Sequence, residues 1–541
     1  MQFNMKKLFS CLVLASCVLL AATACKPAST DNAAAVPHPT QTPQKHTIIY
    51  ASTIDIRDIN PHLYLGEMAA QNMVFESLVI NTNDGVKPHL AQSWEMSPDG
   101  TTYTFHLRED VTFTDGEKFN AQAVKLNFDA ILANAARHAW LEMVNQIESV
   151  EVMDEYTIQI HLKNAYYPIL VELGLTRPFR FISPRDFRNG GTKDGVNAYH
   201  GTGPWVLAAH EKNQYALFTV NEQYWGVKPH VSSVRWQVMP DPQTILLALE
   251  KGDVDIVFET DGLVMIDTDT YASISGERKY TTQMSQPLAS RALVLNTTRP
   301  ILQDRMVRQA LEHAIDKNAI AHGIFDGTEV VAPTLLSRTT PYCDVDVTTY
   351  ELDINKANQL LDDAGWHWPA GATYREKNGE TLRLVLSFIN KNAIERTLSQ
   401  AIQADLKKIG VELVISGEEK QVFLDRQRAG DFDIQYVVSW GTPYDPQSYV
   451  SSFRVPAHAD YHAQLGLPQK AQLDEWVSTL LITPDDTLRQ TLYQQVLSTL
   501  ADEAVYIPLT YSRIKAVYRH DLQGVTFNPS QYEIPFEQMH F

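Results

Sequence analysis

Residues 433–462, DIQYVVSWGTPYDPQSYVSSFRVPAHADYH, bring Trp440, Tyr444, His458 and His462 into one short stretch. A neutral imidazole is a donor for a borderline transition metal, and indole and phenol faces stack on flat or apolar groups while excluding water. The β-type run 434–438 empties into an irregular segment at Gly441 and Pro443, which stop the strand and let the two aromatic faces turn toward a cavity. Pro456 ends the following run just before His458. The pattern predicts a pair of loops that grips a ligand. His458 and His462 are four residues apart, so a helix over 457–464 would put both imidazoles on one face as a metal-binding pair, whereas a solvated second histidine is the plainer expectation.

Other chemistries find little support. His210-Glu211 is followed by Lys212-Asn213-Gln214, so no HExxH motif forms, and neither GxSxG nor a P-loop is present. No HxH, CxxC or carboxylate cluster accompanies His458. An enzyme and an enzyme cofactor are therefore not expected. Arg137 and Arg177 are permanently charged planar forks suited to a carboxylate, though an exposed arginine is the ordinary alternative for each.

The elements that must position these groups follow from length and composition. At 541 residues with 44% hydrophobic and 20% charged positions, the chain suits two or three globular domains. Residues 1–24 read as an export signal: Lys6 and Lys7, an apolar run 8–20, and small residues before Cys25. Ala22-Thr23-Ala24-Cys25 resembles a lipobox, which predicts a lipidated Cys25, a membrane anchor and a periplasmic address. Residues 25–45, rich in Ala, Pro and Thr, suit a flexible tether. With the leader gone and Cys25 acylated, Cys343 is the one thiol left, so neither a disulfide nor a thiolate cluster is expected. A formal net charge of −19 argues against nucleic acid but permits a small anion in a cationic cleft.

From residue 46, HTIIYAS reads as a strand, 60–64 as a turn, and 68–78 as a helix beginning at Met68. Two strands flank the Pro98-Asp99-Gly100 turn, and a helix is predicted over 121–132. Strand and helix patterns alternate on both sides of a middle region, which predicts an α/β architecture.

The run 90–131, with GTGPW at 201–205, NEQYWG at 221–226, LEKGDVDIV at 249–257, VRQALEHAIDK at 307–317 and LLDDAGW at 360–366, resembles the peptide, opine and nickel class of extracytoplasmic solute-binding proteins. SWGTPYDP, SSFRVPAHAD, DEAVYIPLTY and the ending EIPFEQ are similar to its nickel-binding subfamily. The resemblance implies a bilobed periplasmic-binding-protein type II-like fold of two mixed α/β lobes. Lobe 1 is then 46–285 and 508–541, with an additional subdomain at about 90–200, and lobe 2 is 286–507. It implies capture of nickel(II) with an organic chelator such as L-histidine or a polycarboxylate, delivery to an inner-membrane ABC permease, and a monomer. His458 would touch the metal, Arg137 and Arg177 would clamp the chelator's carboxylates, and Trp140, Trp440, Tyr444, Met68 and Tyr64 would line the cavity. His462 and His138 are candidates for a second donor. A binder of peptides, an opine-type metallophore or haem is the alternative in the same class, and a sensory adaptor for a chemoreceptor leaves the site unchanged. Leu65 and Leu424 depart from the subfamily pattern and would reshape one wall.

Overall fold

The computed structural model of the chain describes residues 47–260 and 265–541; the expected leader, the tether and Cys25 lie outside them. Two large sheets organise these residues. The first has seven strands in the order Trp205–Glu211, Tyr215–Val220, Ser233–Val238, Thr47–Ser52, Ile256–Phe258, Lys515–Arg519, Tyr280–Met284. Thr47–Ser52, rich in β-branched and aromatic residues, lies in its middle and runs parallel to Ser233–Val238, with Ile48 opposite Val234 and Tyr50 opposite Trp236. All four side chains point to one face of the sheet and are buried in one core.

The second sheet has six strands in the order Val330–Val331, Tyr506–Ser512, Ala289–Leu295, Ile434–Val438, Arg383–Ile389, Glu412–Glu418. Ile434–Val438 is central: it pairs antiparallel with Ala289–Leu295 and parallel with Arg383–Ile389. Its carboxyl end delivers the loop that carries Trp440 and Tyr444. The chain crosses between the two sheets at 285–288 and at 513–514. Ser285 N–H donates to Ile514 O (2.9 Å) and Ile514 N–H donates to Ser285 Oγ (2.9 Å), so the crossings are bonded to each other. The second sheet keeps Tyr506–Ser512 whole and returns the chain five residues beyond the boundary expected at 508.

A four-stranded antiparallel sheet, Ala91–Met96, Thr102–Leu107, Thr157–Leu162 and Ile147–Asp154, is backed by the helix Ala121–Leu132. That helix starts where Asn120 Oδ1 accepts the Ala123 N–H (2.9 Å). Its core runs on into helices Gln447–Ser452, Lys470–Ile482 and Asp486–Asp502. Tyr167 and Tyr493 share a hydroxyl hydrogen bond (2.7 Å), and Ser448 Oγ donates to Glu172 Oε1 (3.0 Å). Burial pushes the Glu172 carboxyl up from 4.5 to about 8. The folded chain therefore holds a proton that the unfolded chain releases near pH 4.5, and stability falls as pH rises from there to about 8. Glu172→Gln, which keeps the shape, is expected to flatten that part of a melting-temperature profile.

The helix expected over 68–78 is shorter: Met68–Val74, with Phe75 turned to extended backbone. The GTGPW motif explains its stop. Gly203 N–H donates to Val74 O (3.0 Å), and a Cβ at Gly201 would come within 2.0 Å of that same carbonyl oxygen. The glycines let the strand entry seat directly on the helix end, which fixes where Met68 begins.

Candidate functional site

A cavity of about 320 Å³ collects Tyr64, Met68, Trp140 and Arg177 from before the first crossing, Trp440, Tyr444 and His458 from the second-sheet region, and Tyr532 from the C-terminal segment. None of these is acidic.

His458 caps the helix Ala459–Leu465 in extended backbone without a side-chain cap bond. Its ring lies 6.0 Å from that of Trp440. Burial holds the imidazole below its usual 6.5, against the opposing charge of Asp460. The ring is therefore neutral near pH 7, the form that ligates a metal.

The Trp440–Tyr444 loop is held by a buried carboxyl. Asp445 Oδ2 accepts from Ser439 Oγ (2.6 Å) and Gly441 N–H (3.0 Å), and Oδ1 accepts from Trp440 N–H (3.2 Å). Burial pushes Asp445 up to about 7. Gln531 Nε2 donates to Trp440 O (2.9 Å), which ties the loop to the segment carrying Tyr532. The Tyr532 ring is 5.5 Å from that of Tyr444, and Trp140 stands edge-on to Trp440 at 5.5 Å.

On the opposite wall, Trp140 Nε1–H donates to Tyr64 Oη (2.7 Å), and Tyr64 shares a 2.7 Å hydrogen bond with His138 Nδ1. Burial pushes the Tyr64 phenol up to about 12, while burial and the Arg137 charge push His138 down to about 4. Both are neutral, and the phenol's proton then falls to Nδ1. Arg177 Nε donates to Gln71 Oε1 (2.7 Å) and its Nη2 to Gly66 O. The Arg177 and Arg137 guanidinium carbons lie 5.6 and 5.8 Å from the Tyr64 ring centre, within cation–π range.

The structure thus gathers seven of the residues singled out from sequence around one volume and leaves three elsewhere. Arg137 is exposed beside Tyr64 and does not line the cavity. His138 is fully buried behind Tyr64. His462 points away: the helix begins only after His458, so the two imidazoles share no face. The His462 ring packs edge-on to Phe432, and its Nε2 bonds Pro456 O (3.2 Å). Neither Leu65 nor Leu424 is among the residues lining this cavity. Sequence reasoning missed Tyr532, Asp445 and Gly66. At Gly66 a Cβ would come within 2.1 Å of Asp58 O, so the bare backbone there is what places its carbonyl for Arg177. Among the described residues one trio could hold a metal by itself, Asp115, Asp186 and His200; there His200 Nδ1 is bonded to Asp186 (3.0 Å) and Ser183 Oγ to Asp115 (2.7 Å). His458 belongs to no such trio among the described residues.

The model of bacterial extracellular solute-binding proteins, family 5, matches residues 85–461. The chain belongs to this family. A family 5 solute-binding protein is a transport component that works outside the cytoplasm. The chain is 44% identical over 494 residues to the nickel-binding periplasmic protein of Escherichia coli strain K12, covering 91% of this chain and 94% of that one. Its fold superposes on NikA from Brucella suis in complex with Fe(III)-EDTA with a TM-score of 0.89, at 45% identity and over 91% and 99% of the two chains. NikZ from Campylobacter jejuni in complex with Ni(L-His) shares the fold at a TM-score of 0.77, with 24% identity over 92% and 100% of the chains. The family 5 fold is the type II periplasmic-binding-protein architecture expected from sequence.

Proposed function

We propose that this chain captures nickel(II) as a chelate with a small organic ligand in the periplasm and delivers it to an inner-membrane ABC permease. The observation that carries the reading is one neutral imidazole, His458, facing an aromatic cavity whose walls hold a guanidinium and no carboxylate. Nickel(II) takes four to six N or O donors, so a single protein ligand leaves the rest to a chelator bound with the ion. L-histidine or a polycarboxylate supplies such donors, and Arg177, with Arg137 at the rim, favours its negative charge. The likeness to the nickel-binding protein of E. coli and to NikA from B. suis supports the same substrate class. A peptide would need a free acid for its ammonium group. The acid of this loop, Asp445, is occupied by three donors of its own loop.

In this reading two lobes, each built on one large sheet, close over the chelate, and a lipidated Cys25 tethers the protein to the membrane. Binding favours the closed state by the contacts made only there. The test is calorimetric titration of the purified chain with nickel(II), alone and with excess L-histidine. Tight binding that requires the chelator is expected; tight binding of bare nickel overturns the reading. Arg177→Ala is expected to weaken capture of a carboxylate-bearing chelate about tenfold, roughly 1.4 kcal/mol, and equal affinity in that titration would remove Arg177 from the site. The advantage of wild type over His458→Ala should be constant above pH 6.5 and shrink only at more acid pH, because burial depresses the imidazole's proton affinity.

A further inference from the structure

A second cavity, about 360 Å³, abuts the first: Trp440 and Tyr532 line both. Arg513, on the second crossing between the large sheets, is part of its wall. The Arg513 Nε is buried and finds no acceptor among the described residues. The neighbouring cations are already matched. Arg291 forks onto Glu329 through Nη2 (2.9 Å) and Nε (3.3 Å). Lys515 Nζ donates to Ile266 O (2.7 Å) and lies 3.5 Å from Glu259 Oε1. Burial pushes Glu259 up to about 7 and Glu395 to about 6, and the remaining acid of the wall, Asp267, accepts from Thr270 N–H (2.8 Å) and Thr270 Oγ1 (2.9 Å).

A guanidinium keeps its charge at every physiological pH, and a buried N–H without an acceptor is costly. The group that satisfies both conditions is a carboxylate, accepted by the planar fork. The Thr260 and Asn392 side chains in the same wall offer further polar contacts.

We infer that this second cavity is a subsite for a carboxylate-bearing arm of an elongated metal chelator, anchored by Arg513, while the metal end stays at His458. The inference rests on the chelate-binding function proposed above. It extends the ligand class from compact complexes to chelators whose arm reaches past Trp440 and Tyr532.

The experiment compares nickel(II) with L-histidine and nickel(II) with L-histidyl-L-glutamate on the purified full chain. The dipeptide chelates through its amine and imidazole and leaves two carboxylates on a distal arm. Wild type should prefer the dipeptide complex about tenfold. Arg513→Gln should abolish that preference and leave the L-histidine complex bound within about twofold, which also reports that the variant is folded. Arg513→Lys, which keeps the charge without the fork, should recover only part of the preference. The inference is overturned if wild type shows no preference, if Arg513→Gln retains it, or if Arg513→Gln weakens both complexes alike. Failure of wild type to bind nickel(II) with either L-histidine or a polycarboxylate would sink the proposed function itself, a result separable from all three.

Discussion

His458→Ala is expected to weaken capture of the nickel–histidine chelate about 100-fold, roughly 2.7 kcal/mol, with the melting temperature of the free protein nearly unchanged. The two halves of this expectation have separate physical causes. Removing the imidazole removes the one histidine that lines the cavity. Stability is spared because the side chain is only partly buried and makes no cap bond to its own helix. Calorimetry beside thermal melts separates them; unchanged affinity would show that the metal is held by its chelator alone.

Asp445→Ala should act in the opposite way, destabilising the fold by about 3 kcal/mol, since three buried donors lose their acceptor at about 1 kcal/mol or more each. Ser439 Oγ, Gly441 N–H and Trp440 N–H all converge on this carboxyl. The loop they hold carries Trp440 and Tyr444, so ligand affinity should fall with stability and recover partly in Asp445→Asn, which restores one acceptor. Chemical denaturation of the three proteins reads the effect. A loss below about 1 kcal/mol would mean that the loop is held by Gln531 and the surrounding rings instead.

Much of the site was legible before any coordinates. Gly441 and Pro443 after an apolar run marked the end of a central strand, and aromatic residues just beyond such an end had few places to go but a cavity. The helix expected over 121–132 is found at those bounds, Ala121–Leu132. Long-range placement was not legible. Tyr532 reaches the cavity only because the chain returns to the first sheet and Gln531 bonds Trp440 O across 91 residues. The spacing of His458 and His462 suggested a pair because helical periodicity says nothing about where a helix starts; one residue of extended backbone at His458 sends the second ring into the core. Asp445 carried no sequence signal, and its burial depends on packing no local pattern encodes.

The two crossings between the large sheets, bonded side by side through Ser285 and Ile514, form a narrow ribbon. A ribbon bends readily across its plane and resists shear within it, so it behaves as a door hinge with one axis and not as a ball joint. If the lobes close over the ligand as proposed above, opening and closing would follow a single arc, and groups far from the axis would travel farthest along it. On that proposal, a partner gripping the outer rim would have the greatest leverage over the enclosed cargo and would release it by rotation alone, with no strand pulled from either sheet.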